Sequence, residues 1–168
     1  MTVFWVVCLV IIIVAGVGVL AGGAPFVPTR RKWIDEALEL AEVDIDDVLV
    51  DLGSGTGEVL RAAITRGAKR AIGYEINPLL VWWSRLRARR FGARILIRNH
   101  DFFSVDLPID TTIIYIFQVD KVLRKVPEFL KQQKPHLRAE KLKVVVFGFK
   151  IPGKKPVKTL NGMSLYEF

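Results

Sequence analysis

The chain has 168 residues and a formal net charge of +8, from 25 Lys and Arg against 17 Asp and Glu. One domain is the natural reading at this length, and a single cysteine, Cys8, excludes an intramolecular disulfide framework. The charge is uneven: residues 1–29 carry no charged side chain, so all of it lies in the 139 residues from Arg30 onward.

Val3 to Ala21 is an unbroken apolar run of 19 residues, 13 of them Val, Ile, Leu or Phe. It is long enough to cross a bilayer, and insertion is favoured by about 4–8 kcal/mol before end effects. The rival is a cleaved signal peptide. That would want a basic n-region and a shorter apolar core, and no Lys or Arg precedes Arg30. Residues 1–24 are therefore expected to be a transmembrane anchor. Arg30, Arg31 and Lys32 follow at once, which by the positive-inside rule predicts a single-pass membrane protein with a cytoplasmic C-terminal domain. Residues 25–42 read as connector and first helix. Pro25-Phe26-Val27-Pro28-Thr29 is stiff, Thr29 is a fair N-cap, and Trp33, Ile34, Ala37, Leu38 and Ala41 make one apolar face.

Residues 43–168 form the main domain, organised around Val48 to Leu60. Val48 to Leu52 is apolar and partly β-branched, as a parallel strand covered on both faces should be. It stops in a turn with glycines at 53, 55 and 57 and restarts as a helix, whose free N–H groups point back at whatever the turn holds. The dinucleotide fingerprint needs its third glycine one residue later, where Glu58 stands, and the Gly-Lys-Ser/Thr of a phosphate-binding loop is absent. Glu58 in the first helical turn would repel a pyrophosphate. Asp51 at the strand end suits a ligand carrying an ammonium. S-adenosylmethionine (SAM), an adenosine with a sulfonium and an amino-acid tail, is such a ligand.

Asp51-Leu52-Gly53-Ser54-Gly55-Thr56-Gly57 resembles the first motif of class I SAM-dependent methyltransferases. Ala71-Ile72-Gly73-Tyr74-Glu75-Ile76-Asn77-Pro78 resembles their second strand, whose terminal acid, here Glu75, binds the ribose hydroxyls; one carboxylate can accept two hydrogen bonds from a vicinal diol. Asn99-His100-Asp101-Phe102 stands where that family places its adenine-binding acid, after a third strand over 94–98. The resemblance implies an α/β fold, a Rossmann-like sheet of parallel strands with a C-terminal antiparallel hairpin, here preceded by one transmembrane helix. It also implies a SAM site of Asp51, Gly53, Ser54, Gly55, Gly57, Glu75, Asn77, Asp101 and Phe102. The Pro-aromatic-Val-Pro-Thr entry segment is similar to that of a narrower family of protein-lysine methyltransferases. This family includes small archaeal enzymes and membrane-anchored mitochondrial enzymes acting on the ATP synthase c subunit and the adenine nucleotide translocase. A protein substrate, expected to be a membrane protein, is the partner this implies.

The remaining elements follow in order. Glu58 to Arg66 is the helix after the turn, ended by Gly67, and 71–75 is the next strand. Pro78 opens a helix to about Arg90, carrying Trp82 and Trp83 with Arg85, Arg87, Arg89 and Arg90. Those arginines read as a solvated face, as attraction to anionic lipid or an acidic partner, or as RNA binding. His100 has no second histidine or cysteine at metal-ligand spacing, so no metal is expected. Residues 111–117 are a fourth strand, ending where the methyl is transferred. Adenine methyltransferases of nucleic acids carry Asp/Asn-Pro-Pro-aromatic there to grip a flipped base. This chain has Phe117-Gln118-Val119-Asp120, which argues against base methylation and hence against a nucleic-acid partner. Residues 119–133 are helical with Pro127 dividing them, 142–149 are a fifth strand, and Asn161-Gly162 signals a hairpin between 157–160 and 163–168.

A lysine acceptor must arrive neutral, and with an ordinary pKa of about 10.4 its free amine is roughly one part in a few thousand at pH 7. Desolvation can supply that shift, so no general base is obligatory. Tyr115, Gln118 and Asp120 are the candidates near the fourth strand's end; Asp120 reads equally as a helix N-terminal acid. Alternatives are a small-molecule or lipid methyltransferase at the membrane and a non-catalytic SAM-binding membrane protein.

Overall fold

Seven strands build one sheet in the order β3-β2-β1-β4-β5-β7-β6. The computed structural model describes Trp5 and residues 29–168. Helix α1 (Arg31–Leu40) comes first, then β1 (Val48–Leu52), α2 (Glu58–Arg66), β2 (Arg70–Tyr74) and α3 (Pro78–Ala88). They are followed by β3 (Ile95–Arg98), β4 (Ile113–Ile116), α4 (Asp120–Leu123), α5 (Val126–Gln133) and β5 (Lys143–Phe147). The hairpin β6 (Lys158–Leu160) and β7 (Met163–Glu167) closes the sheet. Strands β1 to β5 pair in parallel, β7 runs antiparallel to β5, and β6 antiparallel to β7. Chain order reverses between β1 and β4, so a crevice opens at their carboxyl ends, the place where open α/β sheets bind ligands.

Every residue of β1 is buried, because helices cover both faces. On one face Ile34, Ala37 and Leu38 of α1, Leu60 and Ala63 of α2 and Val81 of α3 pack on Leu49, Ile113 and Val145. On the other, Leu123 of α4 and Val126, Phe129 and Leu130 of α5 pack on Val48, Val50, Ile114 and Val144. The hairpin turns at Asn161 and Gly162, both with positive φ, 47° and 82°, as a type I′ turn requires. The helical stretch expected to be divided by Pro127 is two helices, with Pro127 in the first turn of α5, where its missing N–H breaks no bond.

Two expectations are corrected. Thr29 does not cap α1: Arg30 is the residue before its first turn and no side chain caps it, while Thr29 lies against the Tyr115 hydroxyl. The single-pass membrane localisation is also set aside. Among the described residues no helix is long and apolar enough to cross a membrane. The longest has 11 residues, about 16 Å at the α-helical rise, against roughly 30 Å of hydrocarbon. The apolar stretch that carried the expectation lies outside the described residues.

Candidate active site

The crevice is built by the glycine turn after β1. Gly53 and Ser54 donate backbone N–H groups to the Tyr74 carbonyl at 2.9 and 3.0 Å, which ties the turn to the end of β2. Gly53 has φ +100°, and a Cβ there would lie 2.0 Å from Gln118 Nε2. Gln118 folds back over this glycine and donates to the Leu52 carbonyl at 3.3 Å. Ser54 turns its side chain towards β2, where a Cβ on Gly73 would meet its Oγ at 2.5 Å. Gly57, in the left-handed region, starts α2.

Glu75 stands one residue beyond β2, and its carboxylate spans the crevice. Oε2 accepts the Gly55 N–H at 2.8 Å and Oε1 accepts the Asn77 N–H at 2.8 Å. Each oxygen keeps a further lone pair for a hydroxyl. Asn77 in turn caps α3, accepting from the N–H groups of Leu79 and Leu80 at 3.0 and 3.5 Å. Asn99 holds this corner from the next loop, donating to the carbonyls of Glu75 and Ile76. Asp101 caps the short turn over Phe102–Ser104 through the Phe103 N–H, and Phe102 is buried beneath it.

Asp51 lies between Gly73 and Tyr115 in the sheet register and is 3% exposed. Burial, with repulsion from Glu75, pushes its carboxyl up to about 8. Burial beside Asp51 also raises the Tyr115 hydroxyl, so that side chain keeps its proton at neutral pH. Asp120, the third candidate near the end of β4, is half exposed and pairs with Arg124 at 2.8 Å. Phe117 packs at 4.8 Å and a 45° tilt on Phe147, which meets Trp33 of α1 at 5.1 Å, making an aromatic wall beside the carboxyl ends of β4 and β5. Among the described residues no group of three His, Cys, Asp or Glu side chains is placed to hold a metal ion.

The fold thus brings Asp51, Gly53, Ser54, Gly55, Gly57, Glu75 and Asn77 into one hydrogen-bonded corner, with Gln118 and Tyr115 against it. Arg61 had no sequence signal. It is buried under the turn, donating to the Thr56 carbonyl at 2.7 Å and pairing with Glu58 at 2.5 Å. An arginine in a helix ordinarily reads as solvated, and only the tertiary approach of the turn buries this one.

The corner fits SAM on its own chemistry. A buried acid with a raised affinity for protons, bearing no cation partner within ion-pair distance among the described residues, accepts an ammonium. Glu75 has lone pairs turned to the crevice for a diol, whereas Glu58, expected to repel a pyrophosphate, is instead paired with Arg61 and Arg87 at 2.5 and 2.8 Å.

A family model described as "ANTKMT methyltransferase domain" matches residues 51–158. A protein-lysine N-methyltransferase of Saccharolobus islandicus is 32% identical over 141 residues, 82% of this chain and 84% of that protein. The adenine nucleotide translocase lysine N-methyltransferase of Mus musculus is 32% identical over 139 residues, 82% of this chain and only 58% of that longer protein. Among solved structures, an RNA methyltransferase of Salinibacter ruber in complex with S-adenosyl-L-homocysteine superposes with a TM-score of 0.74 at 35% identity. That match covers 84% of this chain and 92% of that one. The glycine turn, the acid at position 75 with lone pairs left open and these matches agree: the chain belongs to the ANTKMT methyltransferase domain family and is a SAM-dependent methyltransferase.

Proposed function

We propose that the chain methylates the ε-amine of a lysine on a protein. The relative from Saccharolobus islandicus, named for protein-lysine methylation and similar over most of both chains, supports the acceptor class. The observation that carries the reading is the end of β4. In a base methyltransferase a polar side chain there reaches out to the flipped base. Here Gln118 is folded back on Gly53 and committed to the Leu52 carbonyl, and Phe117 beside it joins the aromatic wall.

When bound, SAM supplies a methyl group activated by a sulfonium. Glu75 would accept the ribose hydroxyls, Asp51 the amino-acid ammonium and Asp101 the adenine amine. Gly53, Ser54, Gly55, Gly57 and Asn77 would shape the pocket, with Phe102 beneath. Trp33, Phe117 and Phe147 would line the lysine's aliphatic stem and strip water from its amine, which favours the neutral form. The neutral amine's lone pair would then face the methyl carbon in line, the N–C bond forming as the C–S bond breaks, and the methylammonium so formed would pass its proton to water. Tyr115 cannot take it while its hydroxyl stays protonated, so it serves as a donor and packing group. Asp120, facing Arg124, acts as a helix N-terminal acid rather than a base.

The similar structure from Salinibacter ruber, described as an RNA methyltransferase, favours RNA as a second reading. Tritiated SAM incubated with the enzyme and a cell extract separates the two. Label in protein, recovered as methyl-lysine after hydrolysis, is the expected outcome; label in RNA or in organic extract would reject a lysine acceptor. Glu75→Ala should abolish both the label and SAM binding in calorimetry. SAM binding without any label in any fraction would mark a binding protein instead.

A further inference from the structure

Helix α3 is apolar on two opposite faces. Leu80, Val81, Ser84 and Ala88 are buried against the sheet. On the far side Leu79 is 43% exposed, Trp82 64%, Trp83 44% and Leu86 43%. Their spacing, i, i+3, i+4 and i+7, gathers them into one stripe about 100° wide. The two indoles touch at 6.2 Å. Four large apolar side chains along one exposed helix face are not what a solvated face requires, and contiguous patches of this kind mark interaction sites.

The flanks say what docks there. From Pro78 to Arg94 the chain carries Arg85, Arg87, Arg89, Arg90 and Arg94 and no acid. At 100° per residue Arg87 lies on one side of the stripe and Arg85 with Arg89 on the other. Arg85 is pinned across to the Ile97 carbonyl at 2.8 Å and Arg87 pairs with Glu58 at 2.8 Å, so the cations are held in place. A second copy packed on the same face would set arginines against arginines. Leu79 and Leu86 at the two ends give a nucleic acid nothing to stack on, whereas an apolar ridge with this spacing is what a partner helix interdigitates with.

We propose that the outer face of α3 is a docking site for an amphipathic protein helix with an apolar ridge and acidic flanks. Arg85 and Arg89, which face no acid in an ion pair among the described residues, fix its orientation through charge, and Trp82 and Trp83 supply the central anchors. The stripe faces away from the sheet, and the proposal does not depend on which acceptor is methylated.

Fluorescence anisotropy on the full chain tests it. The probe is a synthetic helical peptide carrying leucines at the spacing of the stripe, flanked by glutamates. Its comparators are the same peptide with lysines in place of glutamates and a single-stranded RNA oligonucleotide. The acidic peptide should bind at least about tenfold more tightly than the lysine version. It should lose about tenfold or more in the double variants Trp82→Ser/Trp83→Ser and Arg89→Glu/Arg90→Glu. SAM affinity in calorimetry should stay at the parent value in both, which shows the variants folded. Binding of the acidic peptide that survives both variants would overturn the proposal, as would equal binding of the two peptides. So would RNA binding that is lost with the tryptophans, or self-association that Trp82→Ser relieves.

Discussion

Asp51 and Glu75 share the crevice, two acids within repulsive reach, and the structure treats them differently. Glu75 receives two backbone N–H groups, whereas Asp51 is buried with its carboxyl pushed up to about 8 from an ordinary 3.8. The native state therefore keeps a proton that the unfolded chain gives up above pH 4. The resulting stability is fully present below pH 4 and is lost as pH rises towards about 8. Without ligand, Asp51→Asn should melt at the same temperature as the parent near pH 4 and clearly higher at pH 8.5. An ammonium bound beside Asp51 would instead favour its charged form. SAM binding at neutral pH should thus release close to one proton, read as a calorimetric enthalpy that depends on the buffer's ionisation enthalpy. Asp51→Asn should bind more weakly and release none. If the parent releases no proton, the donor's ammonium does not meet this acid.

At the scale of elements, the join between β2 and α2 is made by an absence. A Cβ on Gly73 would sit 2.5 Å from Ser54 Oγ and 2.7 Å from Leu60 Cδ1, both on the segment that leads from the turn into α2. Gly73→Ala should cost about 1–3 kcal/mol, seen in urea unfolding. Helix α1 is held by its apolar face, not by the Glu42–Lys158 ion pair at 2.7 Å, which is solvent-exposed. Ile34, 1% exposed, should cost about 2–5 kcal/mol as Ile34→Ala. Glu42→Ala should leave the melting temperature where it is; exposed pairs contribute little. What the sequence discloses follows the same division. The β1–turn–α2 unit and the Asn161-Gly162 hairpin are local, each signalled by glycine positions and apolar runs, so their bounds could be drawn to within a residue or two. The parallel sheet with its closing hairpin and the role proposed for Glu75 came through resemblance, because neither is written in any one segment. The burial of Arg61 and the fold-back of Gln118 depend on segments far apart in the chain. So does the contact of Thr29 with Tyr115. None of them has a local signature. Trp82 and Trp83 were visible, but not that they face outward.

The whole molecule carries its +8 on residues 30–168, the stretch that includes the sheet and the helices packed on it. Such a field repels a lysine-rich segment and favours a lysine among acidic or apolar neighbours. It acts before contact, so it should appear in kcat/KM rather than kcat, and it should be screened by salt. Screening lengths fall from about 30 Å at 0.01 M to about 3 Å at 1 M. Two acceptor peptides with one lysine each, one flanked by acids and one by arginines, measure this directly. At low salt the acid-flanked peptide should be methylated with roughly tenfold or greater advantage in kcat/KM. The advantage should shrink steadily as salt is added, while kcat at saturating peptide stays nearly constant. Equal kcat/KM at low salt would mean that the acceptor is chosen by contacts at the aromatic wall alone, and that the positive charge of the domain serves something other than substrate capture.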